Sequence, residues 1–234
     1  MLLYIIRHAD PVYATDSLTE RGQSQAEALG KRLKEIGVNR IFSSPMGRAR
    51  MTAEPAARLL GLPIETAEWA HEIEDERLYM LPDGTTRSIY QLENTIFRRS
   101  GNIDLSYGKA LSCDGIKESR IGEALDYIRE RGNDFLLRLG YKYEDGAYRI
   151  IRRNEERVAI FCHAAMTRAW LSLLLHFPFH LAWGGFSFTH TGVTVLEFKN
   201  NESGFTAPRC LCLSDVSHLY KEGLDTLHDN TLLV

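Results

Sequence analysis

The pair Arg7-His8 closes an apolar run, Leu2-Leu3-Tyr4-Ile5-Ile6, near the start of a 234-residue chain. A guanidinium offers a rigid fork of donors that fits phosphate oxygens, and a neutral imidazole offers a nucleophilic or basic nitrogen. Side by side they suit a phosphoryl group. They equally suit an ordinary strand end with a satisfied polar pair, because a two-residue motif carries little information. A second run of the same design, Arg157-Val158-Ala159-Ile160-Phe161-Cys162-His163, also ends on histidine. Arg48 falls in the first turn of an expected helix, where it opposes the helix dipole. A bound anion drawing on both the helix amides and the guanidinium would account for it.

Two other groupings read as structure. His176 and His180 have the i, i+4 spacing of metal ligands, but Pro178 breaks the helix that would align them, so surface or core histidines are expected. Cys113, Cys162, Cys210 and Cys212 form no CxxC pair and no zinc spacing. Reduced, mostly buried thiols are expected, with Cys210 and Cys212 pointing to one face of a strand.

The elements that would position these groups follow from periodicity. The first apolar run reads as a strand buried on both faces, and open α/β sheets keep ligands at the carboxyl ends of such strands. Thr19 can cap a helix in which Ala26, Leu29, Leu33 and Ile36 recur at helical spacing, before Gly37 ends it. Gly22 inside that helix predicts close approach of a neighbouring backbone. A short strand over 40–44 leads into Ser44-Pro45, the N-cap and first position of a second helix that Gly61 closes and Pro55 should kink or divide. Residues 63–71 look extended and run into the acidic stretch 72–76, ordinarily a solvated loop. From about 77 to 154 the character changes, with helix-like segments near 88–99 and 118–139 and a possible break at Gly132. We read this stretch as an insertion over one end of the sheet. An apolar helix follows His163, and strands over 192–198 and 208–213 form a hairpin. The expectation is one domain over residues 1–234, an α/β fold in three layers, with a largely helical insertion at about 77–154.

Composition is that of an ordinary globular protein: 44% apolar, 25% charged, net charge −3. It gives no reason to expect a nucleic-acid or membrane partner. No apolar stretch approaches a bilayer span and no basic signal-peptide region precedes the first strand, so a cytosolic location is expected.

Taken together, these blocks resemble the histidine phosphatase superfamily, which includes the cofactor-dependent phosphoglycerate mutases. The family's RHG signature stands here as Arg7-His8-Ala9, and its Leu-Thr-x-x-Gly-x-x-Gln-Ala stretch as Leu18 to Ala26. Its Ser-Ser-x-x-x-Arg-Ala-x-x-Thr-Ala stretch stands as Ser43 to Ala53, and its second-histidine motif as Cys162-His163-Ala164-Ala165. Ala9, Ala164 and Ala165 replace glycines, which predicts that these positions do not need positive φ. The resemblance implies a mostly parallel, phosphoglycerate mutase-like sheet with helices on both faces and an insertion over the active site. It also implies a metal-independent phosphatase without cofactor, acting on a small phosphorylated metabolite through a phosphohistidine. His8 would be the nucleophile, Arg7, Arg48 and His163 the phosphate cradle, and Glu72 the general acid, with Glu74 and Asp75 near enough to compete. The mutases' Asn after the first histidine is Ala14 here, and their Gly-x-Trp after the acid is missing, which favours hydrolysis over mutase activity. A catalytically silent phosphate-binding module is the rival of another class. Among the cations of the insertion, Arg87, Arg98, Arg99 and Lys109 are candidates for recognising a second anionic group.

Overall fold

The computed structural model describes residues 1–92, 95, 111–112, 115–228 and 232–233. Among them the central sheet has six strands: β1 (Leu2–Arg7), β2 (Arg40–Ser43), β3 (Ile64–Thr66), β4 (Arg157–Cys162), β5 (Val193–Glu197) and β6 (Arg209–Asp215), in the order β6-β5-β1-β4-β2-β3. β1, β4, β2 and β3 run parallel, whereas β5 and β6 are antiparallel additions at the β1 side. The helices are α1 (Glu20–Ile36), α2 (Gly47–Leu60), α3 (Ile121–Arg138), α4 (Ala164–Leu174), α5 (Phe179–Gly185) and α6 (Ser217–Lys221).

Alternation along the strands divides the apolar residues between two faces. Tyr4, Ile6, Ile41, Ala159 and Phe161 pack with Leu29 and Leu33 of α1 and with Ala49, Ala53 and Ala56 of α2. Leu3, Ile5, Phe42, Val158 and Ile160 pack with Leu125, Ile128 and Phe135 of α3 and with Met166 and Trp170 of α4. The result is the expected three-layer α/β architecture. A buried side chain of this size contributes about 2 kcal/mol, so both helix layers are held firmly enough to fix the strand ends between them.

Local signals act as their chemistry dictates. Thr19 caps α1 by accepting from the Gly22 amide at 2.9 Å, and Gly37 and Gly61 end α1 and α2 in the left-handed region. A Cβ on Gly22 would stand 2.2 Å from the Asp10 carbonyl oxygen, so only glycine lets α1 approach the turn after His8 this closely. Ala9, Ala164 and Ala165 do not have positive φ, as their lack of glycine predicts.

Three local expectations are overturned. α2 starts at Gly47, not at Pro45, because the Ser44 hydroxyl is drawn to His163 rather than to the helix alone. Pro55 leaves α2 continuous through residue 60, being buried where α2 packs on α1 at Gly30. Cys210 packs with the cluster on one face of the sheet and Cys212 with the other, since a bulge in the β5–β6 pairing sets two residues of β6 against one of β5.

Of the stretch 77–154, the described residues form a hairpin (Leu78–Met80 with Thr86–Ser88), a single 3-10 turn (Ile89–Gln91), α3, and a second hairpin (Tyr141–Glu144 with Ala147–Ile150). α3 runs unbroken through Gly132, where a Cβ would lie 2.6 Å from Trp170 Nε1. The helix therefore belongs to the layer on the α4 face, and among the described residues of this stretch Arg77 and Tyr90 reach the strand ends. Half of the expected helix over 88–99, including Arg98 and Arg99, lies outside the described residues, as do Lys109 and Cys113. Among the described residues no helix is long and apolar enough to cross a membrane.

Candidate active site

The parallel strands β1, β4, β2 and β3 direct their carboxyl ends to one side of the sheet. β5, being antiparallel to β1, brings its amino end there. Backbone bonds continue past the strands and hold the following residues in place: His8 N donates to Cys162 O at 2.9 Å, Ser44 N to Phe161 O at 2.8 Å, and Thr191 N to Arg7 O at 3.1 Å. The turn after His8 is tied to both helices of one layer, Ala9 N donating to Thr52 Oγ1 and Asp10 N to Gln25 Oε1, each at 2.9 Å. These ties bring Arg7, His8, Arg48 and Glu72 to one cavity of about 470 Å³, within the range of small-molecule sites. His163 stands directly behind it, its ring 5.1 Å from that of His8.

His8 is almost fully buried, and its Nδ1 lies 2.8 Å from Ala9 O. A carbonyl can only accept, so Nδ1 carries the proton and Nε2 keeps its lone pair. Burial, then the charge of Arg7, hold its pKa well below the ordinary imidazole value, which keeps the ring neutral. Arg7 is fixed by a bond from Nη1 to Phe188 O.

His163 is wholly buried, and its Nε2 lies 2.8 Å from Ser44 Oγ. That oxygen accepts from Met46 N at 3.2 Å; when it gives its own proton to His163, the ring proton sits on Nδ1, a buried nitrogen with no hydrogen-bond partner among the described residues. Burial and the neighbouring His8 and Arg48 keep this ring neutral too.

Arg48 has the anion that its place in the helix calls for, and it is internal. The Asp16 carboxylate accepts from Gly47 N at 2.5 Å and from Arg48 Nη1 at 2.6 Å, occupying the start of α2. The two carboxylates of the acidic stretch differ. Glu72 is partly buried, and its oxygens accept from the amides of Ile73, Ala165 and Met166 at 3.0, 3.3 and 3.1 Å, the last two at the amino end of α4. Burial raises its pKa, against those amide bonds, which favour the charged form. Glu74 is exposed and sits 3.7 Å from Arg48. Both line the cavity.

Several residues of the cavity were not singled out from the sequence. His190 lies beside His8, with ring centroids 5.7 Å apart, and its Nδ1 is 3.5 Å from Asp10 Oδ1. Arg77 and Arg168 each place a guanidinium carbon 5.3 Å from the centre of the Tyr90 ring, and Arg168 donates to Tyr90 OH at 3.2 Å. Among the described residues, Arg77 and Arg168 add positive charge to the cavity, whereas Arg87 is exposed on the hairpin and does not line it. A usable signal existed for His190: it precedes the strand paired antiparallel to β1, so it had to fall at the end of β1. Asp16 carries no comparable signal, since its role depends on a loop conformation with φ of 47°. His176 is exposed and His180 is buried in the core, as surface and core histidines.

Buried neutral imidazoles make stability depend on pH. His218 donates from Nε2 to Thr191 Oγ1 at 3.0 Å, and burial, then Arg32, lower its pKa to about 4. The folded ring stays neutral while the unfolded one takes a proton near pH 6.5, so its contribution is complete above 6.5 and is lost as pH falls toward 4. That loss is about 3 kcal/mol for His218 alone. His8 and His163 add to it with the same sign. Urea unfolding at pH 7.5 and 4.5 is expected to show a pH difference that shrinks by that order in His218→Asn; an unchanged difference contradicts it.

A family model, the histidine phosphatase superfamily (branch 1), matches residues 3–209. Among curated relatives, the probable phosphoglycerate mutase GpmB of Escherichia coli is 32% identical over 144 residues, covering 55% of this chain and 63% of that protein. The protein of the same name from Erwinia tasmaniensis is 28% identical over 140 residues, covering 55% and 58%. The match therefore spans about six tenths of these relatives' length. Among solved structures, phosphoserine phosphatase from Entamoeba histolytica in complex with 3-phosphoglyceric acid superposes with a TM-score of 0.62 at 22% identity, covering 93% of this chain and 98% of that one. Bacillus stearothermophilus YhfR gives 0.61 at 21% identity, with the same coverage. With the paired histidines and arginines at the strand ends and a family match running over nearly the whole chain, this protein belongs to branch 1 of the histidine phosphatase superfamily.

Proposed function

We propose that the protein is a phosphatase that hydrolyses a small phosphate monoester through a phosphohistidine on His8. The observation that carries this reading is the state of His8: buried, neutral, with Nδ1–H tied to Ala9 O and Nε2 left as a lone-pair donor among Arg7, Arg48 and His163. Nε2 attacks phosphorus, the bond from phosphorus to the ester oxygen breaks, and the leaving oxygen takes a proton from the Glu72 carboxyl. Water then attacks phosphorus, the nitrogen–phosphorus bond breaks, and Glu72 takes back the proton, releasing inorganic phosphate. Arg7, Arg48 and the Nδ1–H of His163 stabilise charge on the equatorial oxygens. The raised pKa of Glu72 favours it over Glu74 as the acid, because a carboxyl must hold its proton to give it.

Phosphoserine phosphatase and glucosyl-3-phosphoglycerate phosphatase among the structural neighbours accord with this reading, and the probable mutases among the relatives supply the rival. The described cysteines, Cys162, Cys210 and Cys212, are free, as suits the cytosol. The test is a panel of phosphate esters assayed without added metal, together with 3-phosphoglycerate plus bisphosphoglycerate. Phosphate release from at least one small ester and little 2-phosphoglycerate are expected; rapid interconversion of the phosphoglycerates replaces the hydrolytic reading with the mutase.

A further inference from the structure

None of the motifs that carry the family resemblance includes His190, yet its ring lies against the nucleophile. The sheet order explains how. β1 lies between β5 and β4, His190 precedes β5 and His163 follows β4, so the two strands flanking β1 bring one imidazole each to His8, with ring centroids at 5.7 and 5.1 Å. His190 is buried and lines the cavity.

Its position is fixed from both sides. Thr191, at φ 58°, donates its amide to Arg7 O and His8 O at 3.1 and 3.3 Å and its hydroxyl to His190 O at 2.7 Å. His218 holds that hydroxyl in turn. On the other side Asp10 Oδ1 stands 3.5 Å from His190 Nδ1, while Asp10 Oδ2 accepts from Thr19 Oγ1 at 2.7 Å and Arg21 lies 3.8 Å from Oδ1. Asp10 and the His190 ring thus stand side by side on the wall of the cavity.

We propose that His190 is a third imidazole of the phosphoryl site, donating from a ring N–H to an equatorial oxygen, with the Asp10 carboxylate beside the ring. This rests on the reading that His8 receives the phosphoryl group. The ring faces Arg7 at the end of β1, His8 just after it, the Asp10 carboxylate and the incoming anion. The ring gives up no proton. Its bond strengthens as negative charge spreads over the equatorial oxygens, so it contributes more to the transition state than to bound phosphate.

The experiment compares binding of orthovanadate, which can take the five-coordinate shape of the transition state, with binding of inorganic phosphate. By calorimetry, His190→Phe is expected to lose about 100-fold in vanadate affinity and only about threefold in phosphate affinity. His190→Gln, which retains a donor, is expected to recover about tenfold of the vanadate loss. A residue that merely props the loop weakens both anions alike or neither, and either outcome overturns the proposal. A second measurement needs no variant: in wild-type protein with nitrogen-15 histidine, vanadate should shift a ring-nitrogen resonance of His190, and unmoved resonances overturn it. If vanadate moves that resonance in a protein that hydrolyses no ester, the phosphatase reading falls and the His190 contact stands.

Discussion

His8→Ala is expected to lower ester hydrolysis by about 10⁵-fold, the scale on which an enzyme loses a nucleophile that acts as part of a unit. The neighbouring imidazole of His163 does not replace it. His163 has Nε2 tied to Ser44 and carries its proton on the nitrogen left free, so it lacks an available lone pair. The fold should survive, because the polar tie of the His8 ring is to the carbonyl of its own neighbour. Two measurements check this: turnover of the best ester in the panel, and acid-labile phosphate trapped on the protein after rapid quenching. Wild-type protein should carry the label and the variant should not. A variant that keeps a tenth of the wild-type rate removes His8 from the role.

Glu72→Gln should produce a loss that depends on the leaving group. An alkoxide leaves badly and needs a proton as its bond to phosphorus breaks, whereas nitrophenolate leaves unaided. The variant is therefore expected to slow an alkyl phosphate about 10³-fold and p-nitrophenyl phosphate less than about tenfold. The pH profile should follow the sign of the shift. Burial raises the Glu72 pKa, so the proton needed for alkyl esters persists above the ordinary carboxylate range and is lost as pH climbs through the raised value. Gln keeps the shape of the side chain but exchanges one acceptor oxygen for a donor against the amides of Ala165 and Met166. A uniform loss on both esters would therefore report displacement of the α4 start rather than a missing acid. Glu74→Gln is the control: if it shows the leaving-group dependence and Glu72→Gln does not, the acid is two residues further along.

What could be read from the sequence is what short-range chemistry decides. Thr19, Gly22, Gly37 and the apolar runs ending at Arg7 and His163 behave as their types and neighbours require, and they suffice to place two strand ends side by side. What could not be read depends on partners far away in sequence. Ser44 is not the cap of α2 because its hydroxyl belongs to a histidine 119 residues later. Arg48 needs no external anion at the helix start because Asp16, 32 residues earlier, folds back onto it. Cys210 and Cys212 part company at a bulge, and a bulge has no local signature of the kind a turn has. The acidic stretch 72–76 reads as a uniform solvated loop, yet burial sorts Glu72 from Glu74 within three residues.

The place of β1 in the sheet also governs how the chain comes together. Leu2 is matched with Arg157 on one side and with Glu197 on the other, so both partners of β1 lie far along the chain from it. Until residues 157–162 are available Leu2–Arg7 has neither neighbour, and until 193–197 it lacks one, so the N–H and C=O groups of this apolar strand must be kept from pairing elsewhere. Meanwhile α1 and α2, adjacent in sequence and packed on each other, can form early. The surroundings of His8 are thus complete only after residues far along the chain have folded, when β4 brings His163 and β5 brings His190 to its ring.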